Sequence, residues 1–548
     1  MRSGQTWWKK LGGEQIDPWL RVEAPEQIGA VDGTALFLLV VTCIWYFTAY
    51  LSSDSVPSNV VDGPPAWWGW HDQGEYYKST IDLAHGQLKP ANYWFGYPIL
   101  GVPFYWLMPR HPYFIPNIIM VLVFVGSFFA VCRHFVSRIE AWILVIYAIF
   151  AESLLRDTCL VVPWNTLPTY ATIYLSTYLL LVKPRPALWQ FGLCAAASGE
   201  AIFARPTEII PLAVIYIFAL LGMEGGRRLW AMAFFGVACA AAALITVSIN
   251  LCLYGHVSSP YMGQEGPKFS AANYVLKIYQ LFCDGTFLTG EAALRQDDNT
   301  HAVIERYPIL LYLLPGVIYL VRSVGLKMIG LPLAIVASVG FYLTYSPTAN
   351  PPYYWSYSNF HYLWWMVPWL LFFTYLSFRR APFTLPRGLY GATLGLPLAF
   401  FLLISFKAVT VAASDSAENP LPLTTSYQNQ TYTANLIVPK APNIMDIRLE
   451  FAKPPSYPGT SVDSAPKTGV SVNGKPEHYM ADYYMSQTGN TFDFSFLAHG
   501  LPLKPGDHLT LVFNNTEEPK LLQVSLRDVV FAPGRGAAIL SGALVRIK

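Results

Sequence analysis

Eleven apolar runs punctuate this chain, at about 33–52, 113–132, 139–155, 160–182, 187–204, 208–223, 229–253, 307–321, 328–345, 362–378 and 388–408. A helix needs roughly 20 predominantly apolar residues to cross the hydrocarbon core of a bilayer. Soluble domains carry about 25% charged residues; here 13% of 548 residues are charged and 53% are hydrophobic. The expected architecture is a polytopic α-helical membrane protein with about eleven transmembrane helices. Its 17 Trp, 34 Tyr and 33 Phe suit aromatic belts at both interfaces.

Short cytoplasmic loops collect Lys and Arg, and this fixes an expected orientation. With the N-terminus inside, the inside loops carry Lys9, Lys10 and Arg21; Arg133 and Arg138; Lys183 and Arg185; Arg227 and Arg228; Arg322 and Lys327; and Arg379, Arg380 and Arg387. Every inside loop then has at least two cations. The pattern holds only if 96–108 ("GYPILGVPFYWLM") lies in the interface instead of crossing, as its short length between prolines suggests. The outer face then owns 53–112, 254–306, 346–361 and everything after about 409. A transporter gathers its polar groups near the midplane, whereas the conspicuous polar chemistry here is on one face. The net charge of +2 gives no basic field, so no nucleic-acid partner is expected. Cys43, Cys132, Cys159, Cys194, Cys239, Cys252 and Cys283 show no metal-type spacing and read as packing residues. About thirty polar residues precede the first apolar run, so no cleavable signal peptide is expected.

From about 425 the pattern changes to short alternating stretches, among them "TYTANLIV", "DIRLEFA", "TFDFSFLA", "DHLTLVF" and "LLQVSLRDVVFA". Asn473-Gly474 between two such runs signals a hairpin. Six or more strands in about 120 residues predict an all-β sandwich or jelly roll. The expected division is a transmembrane domain over 1–412 and an extracytoplasmic β domain over 413–548.

The candidate chemistry sits at the outer edge of the apolar runs. Asp72 in "WHDQGEYY" is a carboxylate placed to act as a general base, which requires only an acceptor within hydrogen-bond reach of a hydroxyl. A solvated loop acid is the plain alternative. Glu75, three residues on, shares a helical face with it. Tyr77, Ile81 and Ala84 recur at helical spacing, predicting a helix along the membrane surface. Asp157 ("LLRDTCLVVPWN") falls where the third run reaches the outer surface, next to Arg156. Arg205 ("FARPTEII") ends the fifth run, with Glu208 one turn on; its planar fork suits a phosphate, or else a simple Arg–Glu pair. "NLCLYGHVSSPYMGQEGPKF" is crowded with turn residues, which suits a loop covering a ligand, with Tyr261, Gln264 and Lys268 as candidate contacts, and equally a plain connecting loop. Tyr76 and His361 complete the candidate substrate contacts, with a packed interface residue as the plain alternative for His361. There is no Walker loop, dinucleotide fingerprint, HExxH helix or GxSxG elbow. An outward-facing enzyme without a soluble nucleotide site needs an activated substrate that arrives another way, and a lipid-linked donor does so.

One span, a long outer loop with an early acid, then "DLAHGQL", "YWFGYPILGVPFYWL" and the second span: this order resembles the GT-C superfamily of glycosyltransferases, which use polyprenyl-phosphate sugars. Its members include protein O-mannosyltransferases and the aminoarabinose transferases of lipid A. "RDT", "FARPTEII" and "YGHVSSPYMGQEG" continue the resemblance over roughly 33–380. The motifs are short and degenerate, so their order carries it. The resemblance implies that Asp72 activates the acceptor hydroxyl, that Asp157 is the second outer acid, which holds a divalent metal (Mg or Mn) in some members, and that Arg205, with Arg156 and Lys268, offsets the donor phosphate. The chain departs from the family in "DQGEYY" and in a single acid at 157 where some relatives have a pair. It further implies a bacterial inner membrane, an inverting transfer, and a glycan, glycolipid or, less expected, protein acceptor. The β region is similar in architecture to appended carbohydrate-binding modules. Rival expectations are a lipid-linked polysaccharide polymerase or ligase, and a lipid-linked sugar transporter that would keep working without a carboxylate at 72.

Overall fold

The computed structural model describes residues 33–52, 71–150, 157–183, 186–223, 225–258, 274–283, 303–344, 360–404, 406–412, 423–438, 444–453, 469–477, 484–488, 490–496, 503–514 and 518–533. A helix lies in each of the eleven apolar runs: α1 Gly33–Leu51, α4 Phe114–Phe135, α5 Arg138–Phe150, α6 Leu167–Ser176, α7 Leu188–Ala204, α8 Ile209–Leu221, α9 Gly225–Tyr254, α11 Leu314–Val324, α12 Gly330–Tyr342, α13 Met366–Arg379 and α14 Arg387–Ile404. Between them come α2 His71–Ala84, α3 Gly96–Tyr105 and α10 Tyr274–Phe282. By length and composition, three of these helices, α1, α4 and α9, suffice to cross a membrane. Elsewhere the expected unbroken runs are interrupted near their ends. Tight turns at Pro206–Glu208 and Pro308–Tyr312 precede α8 and α11, and wide turns at Asp157–Val161 and Thr177–Val182 flank α6. Proline is tolerated in a first helical turn, where its missing N–H is not needed, so it marks a helix start.

The helices pack through small residues. A Cβ on Gly316 of α11 would sit 1.8 Å from the carbonyl oxygen of Phe373 in α13, and one on Gly199 of α7 would meet Ala238 of α9 at 3.3 Å. All seven cysteines are unpaired, in keeping with a packing role. The segment 96–108 forms the short helix α3, which lies against α2. The Thr80 hydroxyl donates to the Pro98 carbonyl (2.9 Å) and accepts from the Tyr113 hydroxyl (2.6 Å). Tyr76, Tyr97, Tyr113, Val162, Trp164 and Ala204 form a buried cluster beneath this pair, so the two surface helices are seated on the ends of α4, α6 and α7.

The C-terminal region is all β: β1 Phe406–Ala412, β2 Leu423–Gln428, β3 Thr431–Ile437, β4 Ile444–Lys453, β5 Gly469–Val472, β6 Lys475–Glu477, β7 Tyr484–Thr488, β8 Thr491–Ser495, β9 His508–Asn514 and β10 Lys520–Pro533. Two five-stranded antiparallel sheets run β1-β10-β4-β8-β7 and β2-β3-β9-β5-β6. Stripped of the edge strands β2 and β7, this is the strand order of a jelly roll. Inward residues of both sheets, including Tyr432, Phe451, Phe492, Phe494 and Phe513, share one core. Asn473 (φ 52°) and Gly474 (φ 77°) make the two-residue β5–β6 turn, both in the left-handed region that such hairpins require. Asn429 (φ 50°) and Gln430 (φ 60°) make a second such turn between β2 and β3 without a glycine. Strand β1 pairs with β10 along its whole length, so the β region begins before the expected boundary at 413, within what was read as the end of the last span.

Candidate functional site

Asp72 lies in the first turn of α2, where the helix dipole favours a negative charge. Its carboxylate is half-buried and accepts a 2.5 Å hydrogen bond at Oδ1 from the Tyr93 hydroxyl. Tyr93 comes from the stretch joining α2 to α3, and its ring meets Tyr76 edge-on at 5.2 Å. The next residue, Gln73, is fully buried. Its Nε2 donates to the Pro163 carbonyl at 2.9 Å, and its Oε1 finds no hydrogen-bond partner among the described residues. Glu75 is half-buried on the same helix. Asp82, the third carboxylate of this loop, is accounted for by an ion pair with Lys89 at 2.6 Å.

Pro163 belongs to a short link, "PWNT", between the turn Asp157–Val161 and α6. Trp164 stacks on the His361 ring, with centroids 3.7 Å apart and planes 12° from parallel. The Oδ1 of Asn165 accepts a 3.3 Å bond from Nη1 of Arg205. Arg205, 12% exposed, sits where α7 ends; its guanidinium lies 3.8 Å from the ring centroid of Tyr362 and 5.5 Å from that of Tyr342. Those two rings stack at 5.2 Å and 3°. The Arg205 Nε donates to Thr207 (3.3 Å) and lies 3.4 Å from the Glu208 carboxylate, which in turn accepts from the Tyr342 hydroxyl at 2.7 Å. Gly96 makes this closeness possible: a Cβ there would lie 2.3 Å from the amide nitrogen of Ala204, the residue before Arg205.

One framework therefore joins Asp72, Arg205 and His361. Two expected substrate contacts are corrected by burial. Tyr76 is 1% exposed and wedged among Tyr93 and Tyr97, and His361 is 1% exposed under Trp164, with its carbonyl accepting from the Tyr170 hydroxyl. Both support the site from behind. Arg205 forms the ion pair with Glu208 that was the plain alternative for it. Asp157 opens the turn Asp157–Val161, but its side chain lies outside the described residues, as do Arg156, Tyr261, Gln264 and Lys268. No group of three or more His, Cys, Asp or Glu side chains that could hold a metal ion occurs among the described residues.

Sequence reasoning passed over Gln73, Tyr93, Trp164, Asn165, Tyr342 and Tyr362. The clue for Trp164 and Asn165 was their place in "VVPWN", directly after the acid singled out at 157. Chemically, the framework presents a carboxylate steadied by a phenol and a guanidinium steadied by two aromatic faces. The first is suited to take a proton and the second to hold an anion.

No protein-family model matches the chain, and no curated protein matches it. Among solved structures, the crystal structure of ArnT from Cupriavidus metallidurans bound to undecaprenyl phosphate is similar, with 12% sequence identity and a TM-score of 0.41. The match covers 68% of this chain and 63% of that one.

Proposed function

We propose that this protein is a membrane glycosyltransferase of the GT-C type. In this reading it moves a monosaccharide from a polyprenyl-phosphate donor to a cell-envelope glycan or glycolipid at the outer face of the bacterial inner membrane. The observation that carries the reading is the single framework linking a phenol-steadied carboxylate, Asp72, to an aromatic-caged arginine, Arg205, through Pro163–Asn165. Such a pair matches the needs of the reaction. The acceptor oxygen attacks the anomeric carbon while its proton passes to Asp72. The bond from that carbon to the phosphate oxygen breaks, and polyprenyl phosphate leaves with the electron pair toward Arg205. One direct displacement inverts the anomeric centre. The carboxylate belongs at the membrane edge because the donor lipid stays in the bilayer while the acceptor approaches from water.

A positioned general base is worth about 10²–10⁴-fold. Asp72→Asn keeps the shape and the bond from Tyr93 but removes the basicity. Transfer, followed by mass spectrometry of envelope glycans from cells with and without the gene, should fall by that factor. Binding of undecaprenyl phosphate, the lipid held by the Cupriavidus protein, should persist. Near wild-type transfer by Asp72→Asn would move the base to another group. Accumulated full-length lipid-linked glycan in the deletion strain would favour a polymerase or ligase instead.

A further inference from the structure

We infer that Pro163–Asn165 is a strut that sets the acceptor-side carboxylate against the donor-side arginine, with Gln73 and Asn165 as positioning residues. The inference rests on the proposed transferase reading for what the strut serves, and on four contacts for its existence. Gln73 follows Asp72 on the same helical turn and is bonded to the carbonyl of Pro163. Trp164 is clamped between the Tyr76–Tyr97–Ala204 cluster and the His361 ring. Asn165 holds Nη1 of Arg205. Tyr362, next to His361, carries the guanidinium on its face. The path closes on itself, from Trp164 through His361, Tyr362, Arg205 and Asn165 back to Trp164.

Its parts are stiff. Gln73, Trp164 and His361 are 1% exposed or less and Asn165 is 6% exposed, and packed interiors move between discrete arrangements instead of yielding smoothly. Gln73 matters most, because its hydrogen bond among the described residues runs to the Pro163 carbonyl and not to Arg205. Its amide is oriented by the Pro163 carbonyl, which demands a donor; this leaves Oε1 buried without a described partner. A buried polar atom left so is costly and uncommon. A glutamine in this place is best explained by the one bond it makes, since an apolar residue would avoid the cost. If the strut were only packing, the chemistry at position 73 would have no bearing on a lipid held at Arg205.

The test turns Gln73 into a group whose donor can be removed by pH. In Gln73→Glu the protonated carboxyl donates to the Pro163 carbonyl as the amide did. The ionised form sets oxygen against oxygen and pushes the strut away. Undecaprenyl phosphate affinity is measured for wild type and Gln73→Glu at pH 5 and pH 9. Comparison at equal pH removes the titration of the lipid phosphate. Gln73→Glu should bind within about twofold of wild type at pH 5 and about tenfold more weakly at pH 9, a loss of the size expected for one hydrogen bond. Equal ratios at the two pH values, with the carboxylate band of position 73 seen at pH 9 by infrared difference spectroscopy, would overturn the strut.

A thermal-unfolding cycle of Gln73→Leu, Asn165→Ala and the double variant supplies the second measurement. The double variant should lower Tm by less than the sum of the single changes, because both break one connected unit. Strict additivity would overturn the strut as well. Failure of wild type to bind the lipid at any pH would instead count against the transferase reading, and the strut would then be decided by the cycle alone.

Discussion

At the scale of single residues, the site is a set of polar groups whose partners come from far along the chain. The bond between Tyr93 and Asp72 spans 21 positions, and that between Arg205 and Asn165 spans 40. A hydrogen bond donated to the ionised form of a carboxylate favours that form. Tyr93→Phe removes it, and with it one interaction that favours the ionised carboxylate. In the proposed reaction Asp72 must be ionised to act, so the acid limb of the pH–rate profile for transfer should move upward. An unchanged acid limb would show that Tyr93 only packs against Tyr76. Asp72 and Arg205 were legible in the sequence because Asp72 opens a helically spaced stretch in the first outer loop and Arg205 ends an apolar run, where a charge is conspicuous. Tyr93, Asn165 and Gln73 were not, because a tyrosine or an amide among aromatic residues carries no mark of the partner that folding brings to it. Tyr76 was misjudged for the same reason, while His361 takes the packed place that was its plain alternative. An aromatic or imidazole ring at a membrane edge reads alike whether it faces a ligand or fills a core.

At the scale of elements, hydropathy located the helices well and their ends poorly. The apolar run 208–223 was visible from composition, but the turn Pro206–Glu208 that aims Arg205 toward Asn165 depends on a proline and two local hydrogen-bonding residues. The surface helices α2 and α3 were visible from spacing and from their short length. Their seat was not, since it depends on Gly96 allowing backbone to meet backbone. This gives a test at the same scale. Gly96→Ala places a methyl group 2.3 Å from the Ala204 nitrogen, where no flexible side chain can give way. The end of α7 must shift, carrying Arg205 with it, and overpacking of this kind costs about 1–3 kcal/mol. Gly96→Ala should therefore lower Tm and weaken undecaprenyl phosphate binding together. Gly33→Ala, where a Cβ meets nothing within 4 Å, should do neither. Retained lipid affinity in a destabilised Gly96→Ala protein would separate α3 from the donor side.

At the scale of the whole molecule, two cores of different origin share one chain. The helical part buries its apolar faces among small residues and aromatic rings, whereas the jelly roll closes a core of its own from both sheets. The change from helical to alternating pattern near 425 was plain in the sequence, and the Asn-Gly turn marked a hairpin correctly. The start of the domain was hidden because "FKAVTVA" continues the apolar run of α14. Its strand character is set by a partner more than 100 residues on: Phe406 pairs with Pro533 and Ala412 with Arg527. The limits of the folding unit follow from that pairing. A fragment covering 406–548 keeps β1 on β10 and covers that edge of its sheet. A fragment covering 413–548 removes β1 and bares the long strand β10, whose open N–H and C=O groups invite pairing with other chains. The longer fragment should be monomeric with a cooperative thermal transition, and the shorter one should aggregate or melt at markedly lower temperature, as scattering and circular dichroism would register. Equal behaviour of the two fragments would show that β1 is a tether to α14 and no working part of the sheet.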